Sequence, residues 1–226
     1  MFESKYNRLL TVILVVVIVA IIGLLGFLAF NYFQENNSTK EAADFVDGYQ
    51  GDDIVDKPEE TSKNDENTDD DSNPLEQIEE TGSSSAASNR KKQVYQGYTV
   101  AGTMKIPKIN FSYPVLEKVT KSSIEKAVAV LYGAGLNQVG NTVIIGHNYR
   151  NGQFFSNNKR LVNGDKIYIT DYEGNQKTYV VYNKFETTPE DTSFYQRDTN
   201  GKAEVTLSTC TDDSSARLII FAREQN

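Results

Sequence analysis

Cysteine and histidine each occur once among the 226 residues. One thiol cannot close a disulfide within the chain, and one thiol with one imidazole cannot build a conventional zinc cage. No glycine-rich phosphate loop and no HExxH run is present, so the sequence offers neither a nucleotide cradle nor a zincin helix. A basic surplus is missing as well. The formal charge is -8, and it is unevenly spread: Glu35 to Glu80 holds 17 acidic and 3 basic side chains, whereas Gln93 to Asn226 holds 13 and 15. A C-terminal region so close to neutral gives no grounds for nucleic-acid binding, and none is expected.

What is there begins with LLTVILVVVIVAIIGLLGFLAF, Leu9 to Phe30. The run is uncharged and long enough to cross a hydrocarbon core of about 30 Å. A cleaved signal peptide would carry an apolar region of roughly 7 to 15 residues and a small-residue cleavage site; this run is longer and ends in Phe27, Phe30, Tyr32 and Phe33, which suit an interfacial aromatic belt. An uncleaved anchor is therefore expected over residues 9–33. Lys5 and Arg8 precede it and Glu35 follows, which places residues 1–8 in the cytoplasm and the rest outside the cell membrane. Residues 34–97 contain KPEETSKNDENTDDDSNP and TGSSSAASNRKK. Such polar, self-repelling chain cannot offset its ordering entropy, so a disordered acidic linker is expected, acting as a solvated spacer that holds the last domain off the membrane.

From residue 98 to 226 the pattern changes to short apolar runs: TVAGTMKI, TVIIG, KIYIT, KTYVVYNKF, AEVTLST and RLIIFA, with turn chemistry at NGD and EGN. SSIEKAVAVLY and GQFFSNNKRLV each read as one short helix on a connection. The expected fold is mainly β, a closed or nearly closed barrel, with a sandwich as the alternative.

The lone thiol, Cys210, ends the strand-like run TLSTC; the lone imidazole, His147, follows TVIIG; Arg217 opens RLIIFA. Each has an ordinary structural explanation, since free cysteine is usually buried and histidine is often a core residue. Together they supply a thiol nucleophile, a proton-transfer partner and a donor for a developing oxyanion, which is what acyl transfer through a tetrahedral intermediate requires.

TLSTC followed by ARLIIFA, with GHN upstream, resembles the sortases, the membrane-anchored cysteine transpeptidases of Gram-positive bacteria. IPKINFSYPVL is similar to that family's early strands, AVAVLYGAGLNQVGNTVIIGHN to its approach to the histidine, and GDKIYI to the strand that follows. The resemblance implies an eight-stranded β-barrel that cleaves a C-terminal sorting signal, often LPxTG-like, through a thioacyl-enzyme and passes the protein to an amine on a peptidoglycan precursor or a pilin. It implies Cys210 as nucleophile, His147 as general acid and base, Arg217 as the group holding substrate or oxyanion, and Thr209 as an orienting or oxyanion group. Ser208 and GHNYRNGQFF are similar to class B enzymes, associated with NPxTN-like signals, whereas the short connection FETTPEDTSFYQRDTNGKA looks more like classes A, D or E. Glu186, Glu190 and Asp191 in that connection resemble the calcium site of some class A enzymes; a solvated acidic loop is the favoured reading, and no metal or cofactor is expected. A hydrolytic cysteine protease and a non-catalytic anchored binding module are the other readings.

Overall fold

The computed structural model describes residues 2–49 and 92–225. An N-terminal helix, α1 (Phe2–Gly48), is followed by nine strands: β1 (Val94–Tyr95), β2 (Tyr98–Ile106), β3 (Phe111–Leu116), β4 (Val128–Tyr132), β5 (Gly140–Ile145), β6 (Lys166–Asp171), β7 (Gln176–Thr187), β8 (Ala203–Cys210) and β9 (Arg217–Glu224). Their order in the sheet is β1-β2-β3-β4-β5-β8-β9-β7-β6, and a further β2–β6 pairing, Gly102↔Asp171 to Lys105↔Tyr168, closes β2 to β9 into an eight-stranded barrel. Closure removes the exposed edges that an open sheet would leave. Its interior is filled by Met104, Ile106, Val115, Ile144, Ile167, Ile169, Tyr179, Val205, Leu207 and Ile220, none more than 1% exposed.

The helix expected over SSIEKAVAVLY does not form. Thr120 and Ser123 bond each other reciprocally, backbone N–H to side-chain oxygen, at 2.8 and 3.0 Å, and the Ser123 hydroxyl also donates to the carbonyls of Lys118 and Thr120. These side chains satisfy the backbone as turns, a competition that disfavours helix. Val128 to Tyr132 then enters the sheet as β4, parallel to β3 and antiparallel to β5. The second expected helix is one 3-10 stretch, Phe155–Arg160.

Two boundaries also move. β1 starts at Val94, ahead of residue 98, and pairs with β2. At the other end of the expected linker, α1 continues through residues 34–48 as helix. Its last turns lie on the barrel: Ala42, Val46 and Tyr49 are buried, and the Phe45 ring meets Tyr95 at 5.1 Å. Lys105 pairs with Asp47 at 2.8 Å. Burying a valine such as Val46 contributes about 1.5–3 kcal/mol, which composition alone concealed because the anchoring apolar residues are spaced at helical intervals between acidic ones. The rest of the expected linker, residues 50–91, lies outside the described residues. Over Leu10–Phe30 the helix is long and apolar enough to cross a membrane.

Candidate functional site

Strand register brings the three chemically capable residues to one end of the barrel. β5 and β8 run parallel, with Ile145 opposite Ser208, so two more residues on each chain reach His147 and Cys210. β8 and β9 run antiparallel with Cys210 directly opposite Arg217. The turn between them is stapled by its own side chains. Thr211 and Ala216 exchange backbone and side-chain bonds, while the Asp213 carboxylate accepts from the Thr211 hydroxyl at 2.6 Å and from the Ser215 amide and hydroxyl. These donors, the Thr211 hydroxyl first, lower the Asp213 pKa to about 2.

Alternation along the strands decides which way each group points. Val205 and Leu207 face the interior, whereas Thr206, Ser208 and Cys210 share the outer wall with Ile145 of β5 and Arg217, Ile219 and Phe221 of β9. The site is therefore on the outer wall near the strand ends rather than inside the barrel mouth. Cys210 is a free, half-buried thiol, unlike the fully buried thiol of a purely structural cysteine. Arg217 Nη1 donates to Cys210 Sγ at 2.8 Å. His147 lines the same cleft of about 250 Å³, together with Arg217, Cys210, Ile145 and Ser208. A second cleft, about 380 Å³, reaches Cys210 from the side of Asn148, Lys159, Asp212 and Asp213.

Thr209 differs from expectation. Its side chain is buried and its hydroxyl donates to the Gly146 carbonyl at 2.7 Å, which occupies its donor and ties β8 to the residue before His147. Gly146 has no room for a side chain: a Cβ there would lie 2.7 Å from Val128 Cγ1 and 2.9 Å from the Phe155 ring. Asn148, not singled out from sequence beyond its place in GHN, donates from Nδ2 to the Cys210 carbonyl and to Asp212, both at 3.0 Å. Asp212 is half-exposed and paired. Lys159 pairs with it at 2.6 Å, and that bond, followed by the one from Asn148, lowers its pKa.

The connection between β7 and β8 roofs the cleft with Pro189, Asp191, Phe194 and Tyr195. It is held from below by polar groups on the outer wall. Asn141 Nδ2 donates to the carbonyls of Phe194 and Tyr195, each at 3.0 Å. Arg197 bonds the carboxylate of fully buried Glu204, reaches Asn141 Oδ1 at 2.9 Å and lies 3.9 Å over the Phe221 ring. No local sequence signal marks this cluster, because β5–β8 pairing joins residues far apart in the chain. Replacing Arg197 by Met leaves Glu204 with Arg223 and Tyr182. The expected loss of stability is about 3 kcal/mol, the low end for breaking a buried pair, with a raised KM for any ligand of the cleft; a melting curve and steady-state kinetics check both. Asp191 is engaged with Thr187 and Ser193, and among the described residues no group of three or more His, Cys, Asp or Glu side chains could hold a metal ion.

Residues 104–225 match the family model described as a sortase domain. Sortase A of Bacillus anthracis is 34% identical over 137 residues, covering 59% of this chain and 61% of the relative. Among solved structures, sortase A from Corynebacterium diphtheriae is 30% identical with a TM-score of 0.52, covering 57% of this chain and 62% of that one. A Clostridium perfringens sortase D5 transpeptidase is 26% identical, also at 0.52, covering 59% and 83%. The family model covers more than half of the chain, and the chain belongs to the sortase family. It spans less than two thirds of the length of the B. anthracis and C. diphtheriae relatives.

Proposed function

We propose that the chain is a cysteine transpeptidase that cleaves a C-terminal sorting signal and transfers the protein bearing it to an amine. The observation that carries the reading is the Arg217 guanidinium on Cys210 Sγ at 2.8 Å, with His147 in the same cleft. Cys210 passes its thiol proton to His147 and attacks the scissile carbonyl, and Arg217 donates to the oxyanion. As the tetrahedral intermediate collapses, the C–N bond breaks, His147 gives a proton to the departing amine, and a thioacyl-enzyme remains. An incoming amine then attacks the thioester, His147 takes the amine's proton, the C–S bond breaks, and that proton returns to the released Cys210 sulfur. Thr209 acts through Gly146 as a positioning residue rather than by touching substrate.

The two clefts suit this order. The loop-roofed one takes the sorting peptide, and the polar one lined by Lys159, Glu186, Asp212 and Asp213 leaves an approach for an amine on a peptidoglycan precursor or pilin. An LPxTG-like signal is favoured over NPxTN because the β7–β8 connection is short and the relatives above are sortases A and D5. The Leu10–Phe30 span is the membrane anchor, with the N-terminus cytoplasmic and the barrel outside. Incubating the full chain with LPxTG and NPxTN peptides, with and without a glycine-type amine, and weighing the products tests this. A new amide to the added amine is the expected result; hydrolysis alone regardless of amine makes it a protease, and no thiol-dependent product leaves a binding module.

A further inference from the structure

Among the described residues, no hydrogen bond holds the His147 ring. What holds it is a stacked phenol: the Tyr149 ring lies 4.9 Å away at an interplanar angle of 26°. Tyr149 is itself packed on Phe154 at 5.7 Å, and Phe154 on Tyr113 at 5.2 Å. The segment is closed on itself, since Phe155 N–H donates to the His147 carbonyl at 3.0 Å and Tyr149 N–H to the Ser156 hydroxyl at 3.1 Å. Phe154 has φ 48 and ψ -124, a left-handed conformation that a non-glycine residue keeps only where its surroundings over-determine it.

Those surroundings include α1. The Tyr113 hydroxyl lies 3.1 Å from Thr39 Oγ1, and Gln153 Nε2 donates to Ser38 Oγ at 2.6 Å. The stretch of α1 just beyond the apolar span thus touches the histidine segment directly at Gln153 and through the ring series Tyr113, Phe154, Tyr149. Ser38 is eight residues past the end of that span, about 12 Å along a helix.

We infer that Tyr149 is a positioning residue for His147, and that the juxtamembrane turns of α1 brace it, so that the anchor helix completes the site it carries. The stacking face, not the hydroxyl, does the holding: none of the hydrogen bonds described for the protein involves Tyr149 Oη. This rests on His147 as the proton-transfer group proposed above. A stack that fixes the ring's direction acts on the chemical step more than on peptide binding.

The test uses the full chain in detergent micelles with the peptide and amine assay. Tyr149→Ala should lower kcat about 10- to 100-fold, the range a misplacement of about 1 Å produces, with KM within about twofold. Tyr149→Phe, which keeps the ring, should restore kcat. Ala42→Arg, placing a charge in the buried contact between α1 and the barrel, should lower kcat in the same sense with KM unchanged. Because His147 is the only histidine, isotope-labelled imidazole gives one unambiguous NMR signal, and its ring order parameter should fall in Tyr149→Ala and Ala42→Arg but not in Tyr149→Phe. His147→Ala run alongside separates the two levels: a wild-type rate there overturns the role of the histidine itself. With that variant inactive, an unchanged kcat and order parameter in Tyr149→Ala overturn the positioning role, and unchanged values in Ala42→Arg overturn the brace.

Discussion

Cys210→Ala is expected to abolish cleavage of a sorting peptide and transfer to an amine together, with the folded barrel intact. The thiol is the only sulfur nucleophile in the chain, so no neighbouring group can take over the covalent step. Its place at the C-terminal end of β8, half-buried on the outer wall, means that alanine removes one sulfur and its bond from Arg217 but leaves no cavity in the interior. Stability should therefore stay within about 1 kcal/mol of the parent. Mass spectrometry of the peptide products and a thermal melt read the two halves separately. Measurable transfer by the alanine variant would remove the nucleophile from the mechanism, and a collapsed melt would make Cys210 a packing residue.

Much of this site was legible in the sequence because its members sit at strand ends. Cys210 and Arg217 are joined by a turn of six residues, Thr211 to Ala216, whose Asp and Ser content announces a tight return, so their pairing follows from local chain geometry. His147 required the tertiary step of placing β5 beside β8, which the resemblance to the sortases supplied and strand alternation alone could not. Which wall the residues occupy was not legible from β5 and β9, where both faces carry apolar residues: Val143 and Ile219 are fully buried on the outer wall in one cluster with Phe194.

The misread elements share a cause. SSIEKAVAVLY has a capping serine and helix-forming residues, yet Thr120 and Ser123 close turns and the valines find sheet partners on both sides. Tertiary pairing outweighs a propensity worth only tenths of a kcal/mol per residue. Residues 38–49 fail in the opposite direction. Their composition is that of solvated chain, but Ala42, Phe45, Val46 and Tyr49 recur at helical spacing and find the barrel. In consequence, the distance between the apolar span and the barrel is set by α1 rather than by residues 50–91.

Arg217→Lys keeps the positive charge and changes only its shape, which makes it the most discriminating substitution at the site. In the structure, Nη1 is committed to Cys210 Sγ, and this is the one side-chain hydrogen bond Arg217 makes among the described residues. Its other guanidinium N–H groups remain for a ligand in the cleft it lines. A planar fork can hold the sulfur with one nitrogen and the oxyanion with another; a lysine ammonium, a single point on a flexible stem, cannot reproduce that geometry. If the arginine served only to make the cleft electropositive, lysine would do nearly as well. The expected result is instead a fall in kcat/KM of about 10² to 10³, the usual cost of losing an oxyanion donor. Stability should remain within about 1 kcal/mol, since the side chain lies at the start of β9 and makes no buried ion pair. Unchanged kinetics would reduce Arg217 to a general field effect, and a loss of fold would show that its place opposite Cys210 is structural.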